Sequence, residues 1–204
     1  MLSSVGDRGL RPCLLAEKNN YLYSMSAVKL LPYYTYKDYC NWEGRWELIE
    51  GIPFAMSPAP SPRHQWVAVN ILSELKGAIK KSKCKHCKVY NFVDVKVEED
   101  TVLQPDASII CGAVDKNFVD FPPDLVVEIL SESTALKDRV SKFSIYEKFG
   151  IKYYLIVDHE KESVEIYSLE NSRYELQHFS PENPYTFFLS TDCSVNVDLK
   201  NFWE

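Results

Sequence analysis

The stretch "DLVVEIL" (Asp124 to Leu130) limits what this chain can fold into more than any other part of it. It is an almost unbroken apolar run of strand length, the pattern of a β-strand covered on both faces. Glu128 stands inside it all the same. A carboxylate buried without a partner costs several kcal/mol or takes up a proton, so the fold must bring Glu128 a partner from elsewhere. "KYYLIVD" (Lys152 to Asp158) is a second strand of the same kind. The segment between them, "STALKDRVSKFSIYEKFG", has Ser133 or Thr134 as a helix N-cap and Gly150 as a stop. A strand, a crossover helix and a parallel strand are therefore predicted.

Around this unit the chain punctuates itself clearly. Residues 1–24 show no periodicity and read as a leader, with an ordered domain expected over 25–204, following a second methionine at Met25. "RWELIEGIPFAMSP" predicts a hairpin turning at Glu50-Gly51, and "SPAPSP" then breaks regular structure. From Arg63 to Lys81, Val67, Val69, Ile71, Leu72, Leu75, Ala78 and Ile79 recur at helical spacing. Residues 88–100 and 101–112 read as two long antiparallel neighbours across an acidic turn. After Asp158 the pattern is an antiparallel meander, with strands at 163–169, 174–179 and 185–189.

Several function classes are excluded or narrowed. A formal charge of −6 argues against broad electrostatic affinity for nucleic acid, so any such contact must be local. The run of lysines at 76, 80, 81, 83, 85 and 88 is the one basic stretch. It reads either as a strip steering a phosphate backbone toward the sheet edge or as a solvated helix end complementing the macrodipole. No apolar stretch reaches the roughly 20 residues of a membrane span, and no signal-peptide order opens the chain, which predicts a cytoplasmic protein. Six cysteines lie without framework spacing, and Cys84-Lys-His86-Cys87 is a single C-x-x-C with no second pair. Reduced surface thiols are expected there, ahead of a zinc site.

Pro105-Asp106 supplies a second carboxylate on the strand before Glu128. On adjacent strands both acids can project from one sheet surface and share a divalent cation. Hard oxygen ligands of this kind suit Mg²⁺ or Mn²⁺, which would then be the partner of Glu128. Asp124 lies only four residues before Glu128, about 13 Å along a strand at 3.3 Å per residue, and reads as a strand-start residue.

The order of elements, together with "WELIEG", "SPRHQ", "QPD", "PDLVVEILSEST" and "DRVSKFSIYEKFGIKYYLIVD", resembles the PD-(D/E)XK nuclease superfamily and, within it, the Uma-type restriction endonuclease family. The resemblance spans roughly residues 27–170. It implies an α/β, restriction-endonuclease-like mixed β-sheet flanked by helices, with the antiparallel C-terminal meander. It also implies metal-dependent cleavage of nucleic acid, most readily DNA, with Asp106 and Glu128 as catalytic metal ligands. The superfamily lysine belongs two positions after Glu128, but Leu130 stands there. Literal matches at Glu74-Leu75-Lys76, Asp94-Val95-Lys96 and Asp198-Leu199-Lys200 lie in the wrong places. The resemblance instead picks out Lys142 on the crossover helix, where Asp138, Lys142 and Tyr146 recur at i, i+4 beside Val140 and Phe143, which are expected to face the sheet.

Each of these residues also has a plainer reading. Lys142 can be a surface lysine paired with Asp138. Glu47, in "WELIEG", is either an extra metal or water ligand or a surface position on the hairpin. His64 is either an accessory proton carrier near phosphate or a capping histidine. The whole chain can likewise be a nuclease-like module that binds nucleic acid or a protein without cutting. No separate specificity domain is visible, and a homodimer is expected only because cutting a duplex needs two sites.

Overall fold

The structure is a computed structural model and describes residues 32–56, 59–131, 135–190 and 193–204. The predicted leader, the domain start at Met25 and the N-cap at Ser133 or Thr134 lie outside the described residues. After a short helix, α1 (Tyr36–Tyr39), come the hairpin strands β1 (Trp46–Ile49) and β2 (Ile52–Ala55). Ile49 faces Ile52 across the predicted turn, where Glu50 and Gly51 have φ of 49° and 78°, the pair of positive values that matches strand twist in a two-residue loop. A Cβ at position 51 would also stand 2.3 Å from the Tyr33 ring, which would have to move.

Helix α2 (Pro62–Lys81) starts where Ser61 Oγ accepts the His64 N–H and where Pro62 has no need of its missing N–H. It buries Val67, Ala68, Ile71, Leu75 and Ala78. Val69, expected on the same face, is 62 % exposed: at 100° per residue it points about 200° away from both Val67 and Ile71.

The two long strands predicted over 88–112 are four short ones: β3 (Lys88–Tyr90), β4 (Val95–Glu98), β5 (Thr101–Leu103) and β6 (Ala107–Ile110). One break contains Phe92 with φ of 51°; the other contains Pro105, which has no N–H for a ladder. The antiparallel ribbon thus passes from one sheet to another, β4 with β5 in the first and β3 with β6 in the second.

Strands β7 (Leu125–Ile129) and β8 (Tyr153–Asp158) coincide with the two apolar runs and pair in parallel. Strands β9 (Ser163–Glu170) and β10 (Arg173–Leu176) continue antiparallel as predicted. Strand β11 (Tyr185–Ser190) leaves the meander and pairs with β12 (Cys193–Val197), a strand not predicted although "CSVNV" carries the alternation of a half-buried strand. The described residues form sheets ordered β2-β1-β5-β4, β10-β9-β8-β7-β6-β3 and β11-β12. This is the expected mixed α/β architecture.

The crossover from β7 to β8 departs from the prediction in one respect. Lys137–Lys142 is a π-helical turn, followed by the α-helix α3 (Phe143–Phe149), which Gly150 ends with φ of 91°. One face of the six-stranded sheet packs on α2 and the β11-β12 pair; the other packs on α3. Among the described residues no helix is long and apolar enough to cross a membrane.

Candidate active site

Alternation along β7 sends Leu125, Val127 and Ile129 toward α2, and Val126 and Glu128 toward α3. The partner of Glu128 comes from the crossover. Lys142 Nζ lies 2.8 Å from Glu128 Oε1 and 2.8 Å from Glu47 Oε1, with Asp138 Oδ1 at 3.5 Å. Tyr146 OH donates to the same Glu128 oxygen at 2.6 Å. Lys137 Nζ reaches the second Glu47 oxygen at 2.6 Å, and the Gln104 N–H donates to the first at 3.1 Å.

The π turn explains how one carboxylate meets two lysines. Residues five apart on an α-helix point about 140° apart, whereas a π turn, closing i to i+5, brings them much closer to the same side. Lys137 and Lys142 therefore converge on Glu47, and Asp138, Lys142 and Tyr146 are all buried. Val140, expected to face the sheet, is 59 % exposed, so the polar side of this turn and not its apolar residue packs inward. Two plainer readings fall with it. Lys142 is not a surface lysine paired only with Asp138, since it is 2 % exposed and held by three carboxylates. Glu47 is not a surface hairpin position, since it is fully buried.

Asp106 precedes β6 on the Pro105 break. The ladder pairs Ala107 with Val127 and Ser108 with Val126, so extending it by one pair sets Asp106 opposite Glu128. Asp106 Oδ2 accepts the Ile129 N–H at 2.8 Å, and its side chain takes the place of a ladder carbonyl that the break has removed. His64 Nε2 is 3.0 Å from the Ile129 carbonyl, to which it must donate, and 3.5 Å from Asp106 Oδ2. His64 does not cap the helix, since Ser61 does that and His64 is the residue capped. Its ring is bonded at Nε2 while its buried Nδ1 has no hydrogen-bond partner among the described residues, and it lies against a candidate acid. Asp124, as expected, starts its strand, accepting the Cys111 N–H at 2.8 Å.

The charges in this pocket do not balance. Burial pushes the Glu128 carboxyl well up, Lys142 pulls it down, and the charges of Asp138, Asp106 and Glu47 push it up again. Burial also works against the charged form of Glu47, but Lys142 and Lys137 outweigh it and hold that carboxyl low. Lys142 loses to burial and gains more from Glu128, Glu47 and Asp138, so it stays an ammonium. For His64, burial lowers the pKa while Asp106 and the Ile129 carbonyl raise it, with a net upward shift.

Sequence reasoning missed Lys137 and the clamping role of Gln104. Neither has a local signal, because Lys137 meets Glu47 across 90 residues of chain. The basic stretch lies beside the β3 edge, where Lys76, Lys80 and Lys88 line a cleft with Cys87. From His64 to Lys81 the helix rises about 26 Å at 1.5 Å per residue, so this strip is remote from the acids. The cysteines also correct the prediction. Cys84, Cys87 and Cys193 are buried rather than on the surface, and they and Cys111 are joined in pairs, while Cys40 is free and exposed.

Comparison with known proteins adds three findings. The family model described as "Uma2: Putative restriction endonuclease" matches residues 33–191. An uncharacterized protein of Synechocystis sp. is 28% identical over 146 residues, which cover 64% of this chain and 72% of that protein. The crystal structure of a putative nuclease belonging to DUF820 from Anabaena variabilis aligns with a TM-score of 0.67 at 16% identity, over 83% of this chain and 97% of that one. At that identity the likeness is one of fold.

Proposed function

Because the chain belongs to the Uma2 family of putative restriction endonucleases, we propose that it hydrolyses phosphodiester bonds in DNA, with Asp106 and Glu128 as ligands for Mg²⁺ or Mn²⁺. One observation carries this reading: four carboxylates, Glu47, Asp106, Glu128 and Asp138, gather in a buried region where, among the described residues, Lys137 and Lys142 bring positive charge and His64 lies against Asp106. Oxygen donors of this kind suit a hard divalent cation, which would relieve the excess negative charge. Binding it would draw them together, since among the described residues no three of these carboxylates offer oxygens within 4.8 Å of one another. When bound, such an ion supplies Lewis acidity toward a phosphoryl oxygen and a more acidic water.

The chain's own residues do the rest. Lys142 holds Glu47 and Glu128 together against their repulsion and offers the ammonium that orients water or meets charge developing on phosphate. Tyr146 fixes the Glu128 carboxylate by its hydrogen bond. Glu47, tied down by Lys137 and the Gln104 N–H, sets the position of Lys142. His64 and the Ile129 N–H hold Asp106 at the mouth of β6.

One observation favours the rival, a nuclease-like module that binds without cutting: Lys142 is so fully enclosed by carboxylates that the cluster can stand as a structural polar core. Nicking of supercoiled plasmid or cleavage of single-stranded DNA with Mg²⁺ or Mn²⁺ separates the two. Cleavage that disappears in Glu128→Ala supports catalysis. A folded chain that binds DNA and never cuts it, whatever divalent ion is added, leaves the rival standing.

A further inference from the structure

Four cysteines that the acid-lined site does not use meet at the far end of α2. Cys84 and Cys87 lie on a tight turn after the helix, in which the Cys87 N–H donates to the Cys84 carbonyl at 3.0 Å. Cys111 follows β6, and Cys193 opens β12. In the structure their sulfurs form two disulfides, Cys84 with Cys193 and Cys87 with Cys111. These are not two separate staples. The two ends of one C-x-x-C turn go to different partners, and the pairs touch, with Cys87 Sγ 3.6 Å from Cys193 Sγ. We propose that in the reduced chain Cys84, Cys87, Cys111 and Cys193 hold one Zn²⁺ as a structural tetrathiolate site.

Three of the four sulfurs already stand close together, and Cys111, which stands beside Cys87, has only to move in toward the other two. Zn–S bonds of about 2.3 Å set sulfurs about 3.8 Å apart along each edge, close to the contact between the two pairs. The ligand atoms of Cys84, Cys87 and Cys193 all lie within 4.8 Å of one another, and Cys87 is within the same reach of Cys111. A C-x-x-C turn plus two ligands from distant elements is a common zinc arrangement; Cys84, Cys87 and Cys193 are buried and Cys111 is half-buried, and a site with no open position is structural. The surroundings suit thiolates as well. Lys83, Lys85 and Lys88 flank the turn, and Lys76 and Lys80 join Lys88 in the cleft that Cys87 lines. Positive charge there lowers thiol pKa and offsets the double negative charge of a zinc tetrathiolate. The one basic stretch of an acidic chain thereby acquires a use. His86 also comes within 4.8 Å of Cys87 and Cys111, but it is exposed, and Cys193 fills the fourth position in its place.

Passing from the disulfide state to the zinc state needs a dithiol reductant. Each disulfide takes two electrons and two protons from one dithiol, which leaves as its own disulfide. Zn²⁺ then replaces the four S–H protons, which go to solvent. The ion would lock the β11-β12 pair and the end of β6 onto the end of α2, tying together elements that converge from 109 residues apart in the chain.

The test is zinc content of the full chain purified under a dithiol reductant and dialysed without chelator. About one zinc per chain is expected, with four thiols that react only after a chelator is added. His86→Ala and Cys40→Ser should keep the metal, and Cys111→Ser should lose it or hold it at least tenfold more weakly. If the serine variant does not fold, the wild-type chain reconstituted with Co²⁺ decides, through the intense visible bands of tetrahedral thiolate coordination. Reduced protein that carries no zinc, leaves all four thiols freely reactive and shows no such bands with Co²⁺ would overturn the proposal. So would loss of zinc in His86→Ala with retention in Cys111→Ser.

Discussion

Helix α2 and the crossover that ends in α3 pack on opposite faces of one six-stranded sheet, and they bury opposite chemistry. Helix α2 buries five apolar side chains and only His64 among its polar ones. The crossover buries Asp138, Lys142 and Tyr146 and leaves Val140 and Leu136 to solvent. The apolar face is held by area removed from water, a force that is non-directional and tolerant of sequence. The other face also has an apolar part, where Phe143 and Phe149 pack with Val126, Tyr154 and Ile156, but its charged patch holds only if every charge keeps its partner, since each ion has paid a desolvation cost that well-packed apolar residues avoid. A fold needs a face of the first kind. It does not need one of the second, which is why the charged face is the place to look for chemistry.

The largest expected effect strikes the charged face. Lys142→Ala strips the shared ammonium from Glu47, Glu128 and Asp138, and should cost about 3–5 kcal/mol in urea denaturation while lowering DNA cleavage by about 10² or more. A variant that keeps both stability and cleavage would end the special status of that face. Adding Glu128→Gln and Glu47→Gln to Lys142→Met should return much of the stability and none of the cleavage, which separates the structural part of the cluster from the chemical one.

Next comes the apolar face. Leu75→Ala should cost about 2–5 kcal/mol through the cavity it leaves, with the cleavage rate of the folded fraction unchanged. A large fall in rate at full folding would show that the two faces do not act independently. Smaller again is Asp106→Asn. The amide oxygen still accepts the Ile129 N–H, so the melting temperature should move by the equivalent of about 1 kcal/mol or less. Binding of Mn²⁺, followed by titration calorimetry, should be lost, and its survival would remove Asp106 from the ligand set.

The smallest effect belongs to the outer side of the same π turn. Arg139 grips Glu165 with bonds of 2.6 and 2.9 Å, and with help from the Tyr167 hydroxyl it holds that carboxyl below its usual value. A lowered folded pKa contributes stability that is present above the unfolded value, about 4.3, and is lost as pH falls through the folded one. Each side chain is roughly a third exposed, so wild type and Glu165→Gln should differ by no more than about 1 kcal/mol at neutral pH and converge in acid. A difference that grows as pH falls would have the wrong sign.

What local pattern controls was legible in the residues. The two apolar runs became β7 and β8, Glu50-Gly51 became the hairpin turn, and Ser61-Pro62 became the start of α2. Periodicity, turn chemistry and caps all act within a few residues. The same locality explains the misses. Val140 looks like a core residue at α-helical spacing, and only the π turn turns it outward. The breaks at Phe92 and Gln104 to Asp106 matter only because two sheets meet there.

The sequence alone determined that Glu128 would be buried on a central strand and would need a partner, because a run of that composition has nowhere else to go. Which partner it found was decided by tertiary structure. Lys142 comes from the crossover and Glu47 from a hairpin some 80 residues earlier, and their meeting depends on a turn widened from α to π. The four cysteines follow the same rule. Their spacing along the chain shows one C-x-x-C, while the other two sulfurs arrive just after β6 and at the start of β12, which reach the end of α2 only once the sheets have formed. Contacts closed across such loops leave no periodic trace, since the free energy that selects them comes from pairing charges and sulfurs in space.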